Sequence, residues 1–198
     1  MKQHLFLAAI LIALSPNALL LNALLPNALA DDAVRSKPLP VGEKAINFDL
    51  PIVGEDNYVE LEKEYDQGHV VVVVLRGYPG YQCTLCSSQV GAMINRAKAL
   101  ATVAHRVILV YPGEPTELER HAEQFVNSRS FPEPLVLVRD PGMKMVNAWG
   151  LRWNAPRETA YPSTYIIKSN GRVAWQKISS SHAGRTTAEE IIKQLKKV

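Results

Sequence analysis

The chain has 198 residues, 22 of them basic and 19 acidic, for a formal net charge of +3. That length suffices for one domain with a proper core. The near balance of charge excludes a protein built to hold nucleic acid or an anionic lipid surface by charge.

Residues 1–30 read as a secretory signal peptide. Lys2 supplies the positive start, Leu5 to Leu14 a short apolar run, and Ala28-Leu29-Ala30 an A-x-A cleavage site ahead of Asp31. The stretch between repeats an Asn-Ala-Leu unit and is broken by Pro16, Asn17, Asn22, Pro26 and Asn27. A spanning helix calls for about 20 consecutive apolar residues, so an uncleaved anchor is the weaker reading. No cysteine follows that could carry a lipoprotein anchor. Cleavage after Ala30 would leave 168 of the 198 residues and remove one charge, that of Lys2. The expected location is the periplasm or the medium, with no stable membrane insertion after cleavage. Residues 31–40, "DDAVRSKPLP", read as a flexible leader, and residues 41–198 as one domain.

From Val41 short apolar pieces around Gly54 suggest an entry strand or hairpin. Val70 to Leu75 is a continuous apolar run, mostly β-branched, which suits a central strand buried on both faces. Val90, Met93, Ile94, Ala97 and Leu100 recur at helical spacing and predict a helix from about Thr84 to Val103. A second strand is expected over Arg106 to Pro112, then a helix over "EPTELERHAEQFVNS" with Pro115 in its first turn. "PLVLVRD" reads as a third strand. Asp140 is placed to cap a short helix with Pro141 in its first turn and Gly150 near its end. Two alternating runs around Ser169-Asn170-Gly171 carry a strong hairpin signal. The chain closes on an amphipathic helix whose Thr187 and Glu190 form a capping box. Such an order gives an α/β fold with a mixed sheet covered by helices on both faces.

Cys83 and Cys86, the chain's two cysteines, follow the valine strand directly. A bridge between residues three apart closes too small a ring to add much stability, which points to redox chemistry. A cysteine pair opening the helix after a central strand belongs to the thioredoxin architecture. Backbone N–H groups at the helix start lower a thiol pKa from about 8.5 toward roughly 3.5–7.5. Tyr78 and Tyr81 lie beside the thiols, to wall a groove or simply to pack. Trp149, Trp153 and Trp175 read as core or groove residues, and His69, His105 and His121 as solvated.

Several motifs resemble the AhpC/TSA (peroxiredoxin-like) redoxins of the thioredoxin-fold superfamily, over nearly all of Pro40 to Val198. They are "VGEKAINFDLP", "LRGYPGYQCTLCSSQ", "RDPGMKMVNAWGL" and "YPSTYIIKSNGRVAW", in the family's order. The resemblance implies a central mixed sheet flanked by helices, ending in a β-hairpin plus helix. It also implies an antioxidant thiol oxidoreductase with Cys83 and Cys86 as its catalytic, redox-active disulfide. Two assignments of the attacking sulfur stay open. As in thioredoxin-type reductases, Cys83 attacks and Cys86 resolves. As in the peroxiredoxin signature, Pro79 leads to Cys86 as the attacking sulfur, with Cys83 in the place of a threonine.

The same likeness makes Pro162 the cis-proline beside the thiols. It places Pro79, Arg76, Tyr81 and Thr164 with Pro162 around a substrate groove. Pro162 stands where peroxiredoxins keep an arginine; Arg76, Arg152 and Arg157 are candidates to replace it, each reading as a surface arginine. The implied substrate is a hydroperoxide or a protein disulfide, the implied electron donor a protein dithiol, and no organic cofactor is called for. The expected assembly is a monomer or weak homodimer. From another class comes a non-catalytic module handling copper through the thiols and His182.

Overall fold

A computed structural model describes residues 34–198. The expected signal peptide and the cleavage site after Ala30 lie outside the described residues. An entry hairpin, β1 (Asp49–Pro51) and β2 (Tyr58–Glu60), runs into a short α1 (Leu61–Tyr65) that sequence reading had not marked off. β3 (Val70–Val74) follows, then α2 (Thr84–Asn95), α3 (Ala97–Ala101), β4 (Arg106–Gly113) and α4 (Leu118–Val126). β5 (Leu135–Pro141), α5 (Lys144–Ala148), the hairpin β6 (Ser163–Ile167) and β7 (Val173–Ile178), and α6 (Ala188–Leu195) complete the chain.

The main sheet has the order β5-β4-β3-β6-β7, with β3 at its centre. β3, β4 and β5 run parallel, and β6 and β7 antiparallel to their neighbours. Alternation along β3 explains why its five residues are all apolar. Val70, Val72 and Val74 face a core shared with the entry hairpin, α1 and α5. Val71 and Val73 face a second core shared with α2, α3, α4 and α6. A strand walled on both sides leaves no position for a polar residue, and the predicted mixed sheet with two covered faces is the observed architecture.

Several boundaries differ from those expected. The helix predicted to run to Val103 breaks at Arg96 (φ −111°), whose N–H bonds to the Met93 carbonyl in a tightened turn; Ala97 and Leu100 remain buried on the sheet beyond it. The helix expected from Glu114, with Pro115 in its first turn, starts at Leu118, because Glu117 adopts a left-handed φ of 57° that no helix accommodates. Pro141 ends β5 instead of entering α5. The Asp140 carboxylate still caps that helix, accepting the N–H groups of Met145 (3.2 Å) and Val146 (3.0 Å). At α6 the Thr187 hydroxyl accepts the Glu190 N–H at 3.1 Å, while the Glu190 side chain reaches Lys177 on β7. Along the expected leader, Arg35 donates its N–H to Asn147 and Leu39 its N–H to Trp149, with the Leu39 side chain buried in the core.

Candidate active site

The path from the central strand to the thiols is fixed by one tight passage. Gly77, at φ +70°, lies so close to β4 that a Cβ would stand 1.9 Å from the Pro112 carbonyl oxygen. Only glycine fits there. Tyr78 then bonds to the Pro112 carbonyl at 2.9 Å and stacks its ring on His121 at 3.6 Å. Gln82 is clamped between the Tyr111 hydroxyl (2.8 Å) and the His121 carbonyl (2.8 Å). The turn therefore delivers Cys83 to the N-cap of α2 in a set position.

Cys83 and Cys86 are joined as a disulfide, with Cα atoms 5.2 Å apart. They occupy the start of the helix that follows the middle strand, as the sequence predicts. Cys83 is 5% exposed and Cys86 is wholly buried. The Cys83 sulfur accepts the N–H of Cys86 at 3.2 Å, as a capping serine oxygen would. Tyr81 and Leu85, each 46% exposed, flank it.

A residue that sequence reading missed completes this environment. Arg185, in the loop between β7 and α6, points a guanidinium nitrogen at the Cys83 sulfur from 3.7 Å. Its other donors go to the Gln89 side chain (3.2 Å) and the His182 carbonyl (3.1 Å). Gln89, the glutamine of the motif read above, also donates to the Thr186 carbonyl at 3.1 Å and so ties α2 to that loop. Burial, helped by repulsion from Arg76, brings Arg185 down to about 10, which leaves it charged at neutral pH.

Arg76 is not a surface arginine. It is buried, paired with Glu158 through Nε (2.5 Å) and Nη2 (2.9 Å), and donates to the Arg157 carbonyl at 2.7 Å. Burial works against its charge, but Glu158 and then Tyr81 outweigh that and hold Arg76 above its ordinary range. Burial likewise pushes the Glu158 carboxyl up, yet its bonds to Arg76 and His182 prevail and keep it low. The Arg76 carbonyl accepts the Thr159 hydroxyl, and its guanidinium lies 4.9 Å from the Tyr81 ring centre. Glu158 also holds His182 at 2.8 Å. One polar chain thus runs from Arg76 through Glu158 and His182 to Arg185 and Cys83.

The remaining expected site residues divide. Pro79 and Tyr81 lie on the turn before Cys83, Pro79 half-buried and Tyr81 open. Thr164 is buried in β6 opposite Val73, inside the sheet. Pro162 is a trans-proline, contrary to the expectation; the cis bond among the described residues is Glu133–Pro134. Its carbonyl accepts the Ser179 N–H at 2.9 Å, extending the β6–β7 pairing. Arg152 turns inward to the carbonyls of Trp153, Glu158 and Thr159. Trp149 is core, its indole N–H on the Ile46 carbonyl, and Trp153 stacks on Tyr161. His105 pairs with Glu64 and His121 with Tyr78, so neither is simply solvated. Among the described residues no three or more His, Cys, Asp or Glu side chains gather into a metal site, and no helix is long and apolar enough to cross a membrane.

No curated protein sequence matches the chain. Among solved structures it is similar to AhpC of Mycobacterium tuberculosis, at 11% identity and TM-score 0.61, over 81% of this chain and 93% of that one. It is also similar to reduced Prx3 of Vibrio vulnificus in complex with hydrogen peroxide, at 15% identity and TM-score 0.65, over 80% and 96% of the two chains. The peroxidoxin BcpB of Mycobacterium tuberculosis aligns at 18% identity and TM-score 0.62, over 80% and 97%. These likenesses establish a shared fold. The AhpC/TSA family model matches residues 41–176, more than half of the sequence, and with its thiol pair at the head of α2 the chain belongs to the AhpC/TSA family of thiol oxidoreductases.

Proposed function

We propose that the protein is an exported peroxidase that reduces hydroperoxides with Cys83 as the attacking sulfur and Cys86 as its resolving partner. One observation carries the choice of Cys83. Its sulfur meets both the Cys86 N–H at 3.2 Å and the Arg185 cation at 3.7 Å, while the Cys86 side chain is wholly buried. A helix-start N–H and a guanidinium both favour the thiolate over the thiol. The attacking sulfur then lies three residues before the place the peroxiredoxin signature gives it.

The Cys83 thiolate attacks one peroxide oxygen and the O–O bond breaks. The departing alkoxide takes a proton from solvent and leaves as an alcohol, and Cys83 becomes a sulfenic acid. The Cys86 sulfur attacks that sulfur, the S–O bond breaks, and the hydroxyl leaves as water with the Cys86 proton. A protein dithiol donor returns the pair to the reduced state by exchange. The family likeness and the peroxide bound by the Prx3 neighbour support a peroxide as oxidant. A thioredoxin-like disulfide reductase would need the Pro162 backbone to hold a client, and the Pro162 carbonyl is already bonded to Ser179. The leading segment, with its A-x-A site at Ala30, supports export to the periplasm or beyond, where such a disulfide persists.

Stopped-flow mixing of the reduced protein with hydrogen peroxide tests this. Disulfide formation far faster than oxidation of a free thiol is expected. A rate equal to that of free cysteine rules the proposal out.

A further inference from the structure

We propose that the groove between α6 and the corner where α2 meets α3 is a docking site for an acidic segment of a partner protein. Cys83 is the N-cap of α2 and Arg96 its C-cap, so the helix holds the groove roughly 18 Å from the thiols. A partner bound there leaves the sulfur pair open.

The groove follows from helical spacing. Glu189, Ile192, Lys193, Lys196 and Lys197 recur three and four residues apart, and so share one face of α6 and its cap. Ala188, Ile191 and Leu195 take the other face and are buried in the core. Arg96 meets the outer face from the break between α2 and α3, its Nε 3.1 Å from the Glu189 carboxylate. That break, which no glycine or proline announces, thus brings a cation to α6. These six residues line a cavity of about 470 Å³, with half-buried Ile192 as its apolar member.

Four cations against one carboxylate give the groove a net charge of +3, as large as the formal net charge of the whole chain. Among the described residues the lysines in ion pairs are Lys44, Lys63 and Lys177, none of them here. Lys197 donates to the Gln194 side chain at 3.3 Å, a neutral acceptor. The negative pole of a short helix calls for a cation in its last turn; it does not call for three lysines and an arginine facing them. Like charges gathered in a concave site focus their field, and an anion entering it relieves their repulsion. From Glu189 to Lys197 the face rises roughly 12 Å, the span of about four residues of extended peptide. That length, with Ile192 at its middle, fits a run of aspartates and glutamates with an aliphatic side chain among them. A membrane surface, being flat, would meet the lysine tips and miss Ile192.

The test is fluorescence anisotropy of a fluorescein-labelled peptide of Glu-Glu-Leu repeats, beside its Gln-Gln-Leu analogue. Binding of the acidic peptide at least about tenfold tighter than that of the neutral one is expected, with the margin shrinking as salt rises. K193E/K196E should weaken the acidic peptide at least about tenfold, and R96Q, on the facing corner, about threefold. K37E, which reverses an exposed charge ahead of β1, should leave the affinity unchanged. Saturating peptide should leave alkylation of the reduced thiols at its unliganded rate. Equal affinity for the two peptides overturns the inference, and so does an equal loss in K37E. Protection of the thiols from alkylation would put the peptide at the wrong end of α2 and overturns it too. Pelleting with phosphatidylglycerol vesicles, with no preference between the peptides, assigns the groove to lipid and contradicts a protein partner.

Discussion

Replacing Arg185 with methionine removes the guanidinium that reaches the Cys83 sulfur while keeping most of the side chain's length. Two unit charges at the observed 3.7 Å attract by about 1 kcal/mol in a water-like medium and by about 4.5 kcal/mol at an effective dielectric constant near 20. Arg185 is only half-buried, so the truth lies between these bounds. At about 1.4 kcal/mol per pKa unit, R185M should raise the Cys83 pKa by about 1 to 3. The measurement is best made on reduced C86S protein, where a single thiol titrates, by ultraviolet thiolate absorbance and by alkylation rate against pH. R185K should recover most of the native value. A Cys83 pKa that stays within a few tenths of its native value in R185M refutes the electrostatic reading of this contact.

Removing the partner of Arg76 tests the other end of the polar chain. E158A leaves a buried guanidinium without its carboxylate and should cost about 3–5 kcal/mol in urea unfolding; a loss under about 1 kcal/mol would show that the pair holds nothing together. His182 should act on Cys83 only through the loop it anchors to Glu158. H182A should therefore raise the Cys83 pKa by up to about 1, and H182Q, which can still donate to Glu158, should restore it. Equal effects from the two substitutions would contradict this. Burial pushes the Asp140 carboxyl up to about 6, from an ordinary 3.8, against the pull of the α5 N–H groups. A pKa raised in the fold means a contribution intact below about pH 4 and lost as pH climbs through 6, by about 3 kcal/mol. D140N should flatten unfolding free energy across that window; an unchanged pH slope would place the carboxyl's pKa near its ordinary value.

The parts of the fold that could be read from sequence are those set by local chemistry and by burial on two sides. The all-apolar run at Val70–Val74, the Asn170-Gly171 turn, the Asp140 cap and the Thr187 cap each follow from a periodicity or a short-range bond, and each is present. Boundaries failed where a single residue took an unusual backbone conformation, as at Arg96 and Glu117, which carry no glycine or proline to announce it. The cysteine pair was legible because its spacing and its place after a strand are local facts. Its electrostatic surroundings were not. Arg185 lies 102 residues from Cys83, and Glu158 lies 82 from Arg76. Which of several arginines reaches the sulfur depends on the path of the loop after β7, which no local pattern encodes. Arg76 looked like a surface residue for the same reason, its partner being on a distant segment.

The central claim is that Cys83 is the sulfur that attacks, and it is tested most directly by trapping the sulfenic acid. Reduced C86S and C83S proteins are mixed with hydrogen peroxide and a sulfenate-specific probe, and the labelled residue is read by mass spectrometry. Rapid labelling of Cys83 in C86S, with C83S reacting no faster than a free thiol, is the predicted result. Rapid labelling of Cys86 in C83S, with Cys83 inert in C86S, would contradict the account.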